Sequence, residues 1–171
     1  RQKVTRLGFR SKEAYISENL YRWLDETSPS REITFNLFTH DFNLSSAFLS
    51  DPLSTQSPGN FSDENSAINA SRKFLSTISS FPDDIDLTKT KTLLYSIKDF
   101  NLFPATSISN AKVIRVDFFQ GNVSALPIYY PNYSTSTINL LVIAQDRKHL
   151  VVGANFHYQP ISRESYTYPI K

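Results

Sequence analysis

Few residues in this chain have the type and spacing to do chemistry. The three histidines are His40, His149 and His157. His149 and His157 are eight positions apart, so on one unbroken strand they would share a face but stand roughly 26 Å apart. No His-x-Glu or His-x-x-x-His spacing is present, and sheet-surface histidines are the simpler reading. Asp83-Asp84-Ile85-Asp86 gathers three carboxylates. Hard cations favour such oxygen clusters, but the central Gly and twelfth-position Glu of a calcium loop are missing. The cluster reads as a solvated turn in which one Asp bonds the local backbone. Arg115 and Asp117 share one face of a strand, and Asp117 has apolar neighbours. A carboxylate so placed is either a functional acid or the partner of a base, Arg115 itself or Lys148. Tyr129, Tyr130 and Tyr133 crowd a connection with Pro127 and Pro131. Together with Tyr158, Tyr166 and Tyr168 they either line a groove for a protein or sugar or cover the sheet. The candidate binding residues are therefore Tyr129, Tyr130, Tyr133, Tyr158, Asp117 and Arg115. No catalytic residue, metal ligand or cofactor is expected.

Composition narrows the chemistry further. The 171 residues contain no Cys and four Gly. A disulfide framework, a thiolate metal site and a thiol nucleophile are excluded. There is no Gly-x-Ser-x-Gly elbow and no phosphate-cradling glycine loop, which argues against a serine hydrolase or a nucleotide enzyme. The 18 basic and 16 acidic residues give a net charge of +2, too balanced for a general nucleic-acid or anionic-membrane binder. The longest apolar run, Leu140 to Ala144, is far short of a membrane span. Asn43, Asn60, Asn69, Asn122 and Asn132 each begin an Asn-x-Ser/Thr sequon; roughly half as many are expected from composition, and they are read as incidental. The chain starts at Arg1 and contains no Met, which suggests a processed or excised segment with an anchor or signal upstream.

The elements that must position these residues follow from periodicity. Arg1 to Leu7 reads as a helix stub stopped by Gly8. Ala14 to Leu24 reads as a strand, and Arg31 to His40 alternates, with Ile33, Phe35, Leu37 and Thr39 on one face. These two form a hairpin, and Asp41 to Leu49 adds a short strand or turn. Asp51 to Asn60 is loop. The main helix is capped by Ser62 or Asp63, carries Ala67, Ala70, Phe74, Leu75 and Ile78 on one face, and ends near Ser80 before Pro82. Thr88 to Lys98 and Lys112 to Gln120 alternate as strands. Thr137 to Gln145 and His149 to Tyr158 form a second hairpin around Asp146-Arg147-Lys148, with a bulge at Gly153. Thr167 to Lys171 is an extended tail. The fold class is α+β: antiparallel sheet with one amphipathic helix, about 63–80, on a sheet face.

The order helix end, aromatic, strand, turn, strand occurs twice. Ile33-Thr34-Phe35-Asn36-Leu37-Phe38 matches Ile114-Arg115-Val116-Asp117-Phe118-Phe119. This suggests a degenerate duplication: a truncated unit over 1–60 and a fuller one over 61–171, sharing one core. The stretch Ser62 to Ile161 resembles PepSY-like and cystatin-like modules, one helix followed by an antiparallel meander. The whole chain resembles the extracytoplasmic YycH/YycI-type regulators of bacterial two-component systems. That likeness rests on the helix leading to Leu7-Gly8-Phe9 and strands, on Ser66 to Ile78 as second helix, and on the closing Tyr168-Pro169-Ile170-Lys171. It implies a secreted or membrane-anchored bacterial domain of the cell envelope, part of a signalling regulator, that binds a protein and catalyses nothing.

The expected function is thus non-enzymatic engagement of a protein or peptide through a sheet face, a sheet edge or the tyrosine loop. Nucleic acid is not expected as a partner, and a membrane only through a segment outside this chain. The alternative is a small cystatin-like enzyme or carbohydrate-binding module whose cleft gathers Asp117, His157 and tyrosines.

Overall fold

The structure, a computed structural model, describes residues 2–28, 30–50, 59–78, 81–123, 126, 128, 136–145 and 148–161. The expected loop at 51–58, the helix end at Ser79 and Ser80, the turn residues Asp146 and Arg147, and the tail at 167–171 lie outside the described residues.

A helical turn, α1 (Gln2–Arg6), leads into β1 (Ala14–Ser17), β2 (Leu20–Leu24), β3 (Glu32–Asn36) and β4 (Phe42–Ser45). The main helix α2 (Glu64–Ile78) follows. Then come β5 (Lys91–Lys98), β6 (Asn101–Pro104), β7 (Val113–Phe118), β8 (Ile138–Gln145) and β9 (Lys148–Phe156). All nine strands form one antiparallel sheet in the order β1-β2-β3-β4-β9-β8-β7-β5-β6. β4 pairs with β9, which joins the strands of residues 1–60 to those of 61–171.

Local chemistry explains the borders. Asp63 caps α2 by accepting from the Ser66 N–H at 2.7 Å. Ala67, Ser71, Phe74, Leu75 and Ile78 are its buried residues, so Ser71 takes a place in the apolar stripe while Ala70 is only partly buried. The stretch 14–24 is two strands rather than one. Asn19 takes a left-handed φ of 61° and turns the chain back between Ser17 and Leu20, a conformation Asn tolerates. Strand β6 was not expected either. Its turn places both Asp99 (φ 48°) and Phe100 (φ 60°) in the left-handed region, with Lys98 paired to Asn101. No glycine marks it, although such turns favour one. On β9 the register shifts where Leu141 faces Gly153 and Val142 faces Val151, which is the bulge expected at Gly153.

α2 lies over β7, β8 and β9. Beneath it Ile114, Val116, Phe118, Leu140, Val142 and Ala154 form the core. An aromatic row continues this core sideways: Phe35 stacks on Phe42 (5.9 Å) and Phe42 on Phe156 (5.0 Å), with Phe74 of α2 against Phe42. The opposite face has a smaller cluster of Phe48, Val113, Ile143 and Val152. The matched words of β3 and β7 therefore do similar work, since Ile33 and Ile114 both point into the helix-side core.

α1 is held by a buried ion pair. Arg31 Nη1 lies 2.8 Å from Asp25 Oδ2 and donates to the Leu7 carbonyl at 3.3 Å; Nη2 donates to the Val151 carbonyl at 3.4 Å. The guanidinium sits 4.5 Å over the Phe9 ring. Gly8, at φ +98°, turns the chain directly beneath the Asp25 carboxylate. Burial works to raise the Asp25 pKa, but the Thr27 hydroxyl and N–H and the Arg31 guanidinium more than offset it and hold the carboxyl below its ordinary 3.8. Replacing Arg31 by Ala leaves that carboxylate buried without its ion partner and is expected to cost about 3–5 kcal/mol. Urea denaturation measures this, and Arg31→Lys should recover only part of the loss because an ammonium lacks the planar fork.

Candidate functional site

Two regions gather the residues of interest, and they lie on opposite faces of the sheet. On the helix side a groove of about 930 Å³ opens beside α1. Gln2, Lys3 and Val4 of α1 form one wall. Trp23 of β2, Phe35 of β3 and Phe156 of β9 line it from the sheet. Leu37 and His40 line it from the turn after β3, and Ile78, Phe81, Pro82 and Asp83 from the end of α2 and the chain beyond. Tyr158 completes the lining.

The turn after β3 is built by its own polar residues. Asn36 Oδ1 accepts from the N–H groups of Phe38 (2.9 Å) and Thr39 (3.1 Å), and His40 follows with φ 62°. Asp41 Oδ2 meets His157 Nδ1 at 2.8 Å, which ties this turn to the chain just before Tyr158. The geometry pushes Leu37 and Phe38 outward, 51% and 82% exposed. Trp23 is 5% exposed, and its Nε1 has no hydrogen-bond acceptor among the described residues. An apolar trough with one buried donor left open among the described residues and Leu37 exposed on its lip is suited to binding.

The second region is the polar row on the far face. Asp117 is 1% exposed. It accepts from Arg115 Nε (3.1 Å) and Nη2 (2.9 Å), so the partner is the strand neighbour two residues away rather than Lys148. Burial is the largest influence on Asp117 and raises its pKa above 3.8 despite Arg115, the Ser136 N–H and the Lys91 ammonium. Lys91 stands opposite Asp117 in the ladder and lies 5.2 Å over the Phe119 ring. In the same row Asn43 donates to Asn155, Asn155 to Asn139 (3.2 Å) and Asn139 to the Ser136 carbonyl (2.8 Å). These partners offset only part of the cost of burying that carboxyl.

The candidate binding residues thus divide. Arg115 and Asp117 are together on the far face, Tyr158 is in the groove, and Tyr129, Tyr130 and Tyr133 lie outside the described residues. His157 pairs with Asp41, whereas Asp117 pairs with Arg115. His149 stacks on Phe61 at 5.4 Å. In the acidic cluster, Asp86 accepts from the Thr88 N–H and hydroxyl, Asp84 from Gln120, and Asp83 reaches the groove. Among the described residues no group of acidic or histidine side chains is arranged to hold a metal, and no helix is long and apolar enough to cross a membrane. Trp23, Phe35, Leu37 and Phe81 were not singled out as site residues. The one available signal was the apolar pair Leu37-Phe38 inside an otherwise polar turn. Compared with known proteins, the chain matches no family model, no curated protein and no solved structure.

The far-face carboxylate predicts a pH signature. An acid whose folded pKa is raised binds its proton more tightly folded than unfolded, so its contribution falls as pH rises from 3.8 to the raised value, then levels. Asp25, held low, acts in the other window, and its contribution is lost as pH falls below 3.8. Chemical unfolding of the natural chain and of Asp117→Asn should show a stability difference that changes with pH above 3.8. A difference constant over that range would contradict the assignment.

Proposed function

We propose that this chain is a non-enzymatic binding domain that engages a protein or peptide partner through the groove beside α1. The observation that carries this is the groove itself: an apolar trough whose lip exposes Leu37 and whose wall holds the indole N–H of Trp23, which has no acceptor among the described residues. Exposed apolar side chains around a concave site favour association. The sheet edges are less suited to a partner. β1 is four residues long with a register irregularity, and β6 is four residues long and ends at Pro104; short, bulged or proline-ended edges discourage strand addition. The reading extends to an extracytoplasmic, membrane-anchored setting in a signalling regulator. That part rests on the resemblance of layout and on a cysteine-free, Ser/Thr-rich composition.

The test is selection of peptides from a random display library against the purified domain, followed by titration while recording Trp23 emission. Trp23 is the only tryptophan of the chain, so its emission reports on the groove. Selected peptides should shift it saturably. Leu37→Glu, at an exposed position, should weaken them about tenfold or more, as loss of a central apolar contact does. Asn43→Ala on the far face should leave binding unchanged. Selected peptides that bind Leu37→Glu normally would contradict the proposal.

A further inference from the structure

We infer that this chain also docks on an anionic lipid surface, through a basic strip that runs along α1 and the segment after it, whatever occupies the groove. The net charge of +2 conceals an uneven spread. Arg1 to Lys12 hold five of the 18 basic residues and none of the 16 acidic ones, which leaves the rest of the chain at −3. Lys3, Arg6, Arg10 and Lys12 are all exposed. Among the described residues none of these four forms an ion pair, whereas Arg22, Arg31, Lys89 and Arg115 each meet a carboxylate.

The strip is fastened to the sheet. Lys3 and Arg6 stand one turn apart on α1, and the Leu7 carbonyl at its end accepts from Arg31. Phe9 is fully buried, and the Ser11 hydroxyl accepts from the Leu24 N–H at 2.8 Å, which lays Arg10 and Lys12 beside the end of β2. α2 packs on α1 and adds the exposed Arg72 and Lys73. Of the acids nearby, Asp25 is taken up by Arg31, Asp83 borders the groove, and Glu13 and Glu26 stand at the Lys12 end. Cations remain in excess.

Exposed rings favour a bilayer over a soluble polyanion. Tyr15, 67% exposed, follows the strip in β1. It faces Tyr21 across the ladder with the rings 5.8 Å apart, and Tyr21 packs beside Trp23 on the helix side of the sheet, the side that carries α1. At the other end of the strip, Lys3 shares the groove border with Leu37, and Phe38 beyond it is 82% exposed. An acidic protein or a nucleic acid bound through charge alone would leave these rings in water. The headgroup region of a bilayer takes up Tyr and Phe beside Lys and Arg. Each Lys or Arg near such a surface strengthens binding about fivefold. The four together give on the order of several hundredfold, a reversible attachment that the exposed rings reinforce.

The experiment is sedimentation of the purified chain with vesicles of phosphatidylcholine, alone or mixed in equal parts with phosphatidylglycerol. The chain should bind the mixed vesicles, ignore the neutral ones and be released by added salt. Arg6→Gln/Arg10→Gln, at exposed positions, should keep the urea midpoint of the natural chain and bind about thirtyfold more weakly. Tyr15→Ser should also weaken binding severalfold. Lys98→Gln/Lys148→Gln removes the same charge from β5 and β9 and should change binding little. No binding to the mixed vesicles, equal binding to the neutral ones, or an equal loss in the two double variants would overturn the proposal. Retention on poly-glutamate through Arg6 and Arg10, with none on the vesicles, would make the strip a site for an acidic chain and overturn the lipid assignment.

Discussion

Arg31 is the residue on which the arrangement of this fold most depends. One guanidinium joins the carboxylate of Asp25, the carbonyl at the end of α1, the carbonyl of Val151 on β9 and the ring of Phe9. These belong to parts of the chain up to 120 positions apart. α1 is too short to be stable as an isolated helix. Its place on the sheet comes from this cation, from Val4 and from the Phe9 side chain, which is fully buried. The wall of the groove is therefore an electrostatic construction laid on an apolar floor. A buried pair of this kind is not in itself a large source of stability, but removing either half is costly. That asymmetry makes it a device for holding a geometry.

The two faces of the sheet are organised by different physics. On the helix side, aromatic stacking from Phe35 through Phe42 to Phe156 carries the core sideways past the end of α2, and the groove opens where helical cover ends. On the far side, a line of asparagines runs across β4, β9 and β8 toward the buried Asp117. There the amides satisfy one another and the carboxylate has its guanidinium. The hydrogen-bonding capacity of that face is largely used internally, whereas among the described residues the groove retains an open indole donor and an apolar lip at Leu37. This contrast is the reason for proposing the helix side as the binding face.

Much of the architecture was legible in the residues. The α2 stripe, its Asp63 cap, the β8–β9 hairpin and its Gly153 bulge follow from apolar periodicity and from glycine. The tight turns at Asn19 and at Asp99-Phe100 were not legible, because both adopt left-handed backbone without glycine. The pairing of Arg115 with Asp117 was among the readings that strand alternation allowed. The Arg31–Asp25 pair was not anticipated, since nothing in a balanced composition marks two charges as buried. The groove was legible only in fragments. Trp23, Phe35 and Phe156 look like ordinary core residues of three strands, and only the sheet order brings them beside α1 and Phe81.

The most direct test of this account is an NMR structure of the domain with a groove-binding peptide, solved from intermolecular nuclear Overhauser contacts. The account predicts contacts from the peptide's apolar side chains to the Trp23 indole, the Phe35 ring and the Leu37 methyls, with α1 still seated against Arg31. Contacts confined to Asn43 and Asn155 on the far face, or to the β1 edge, would contradict it.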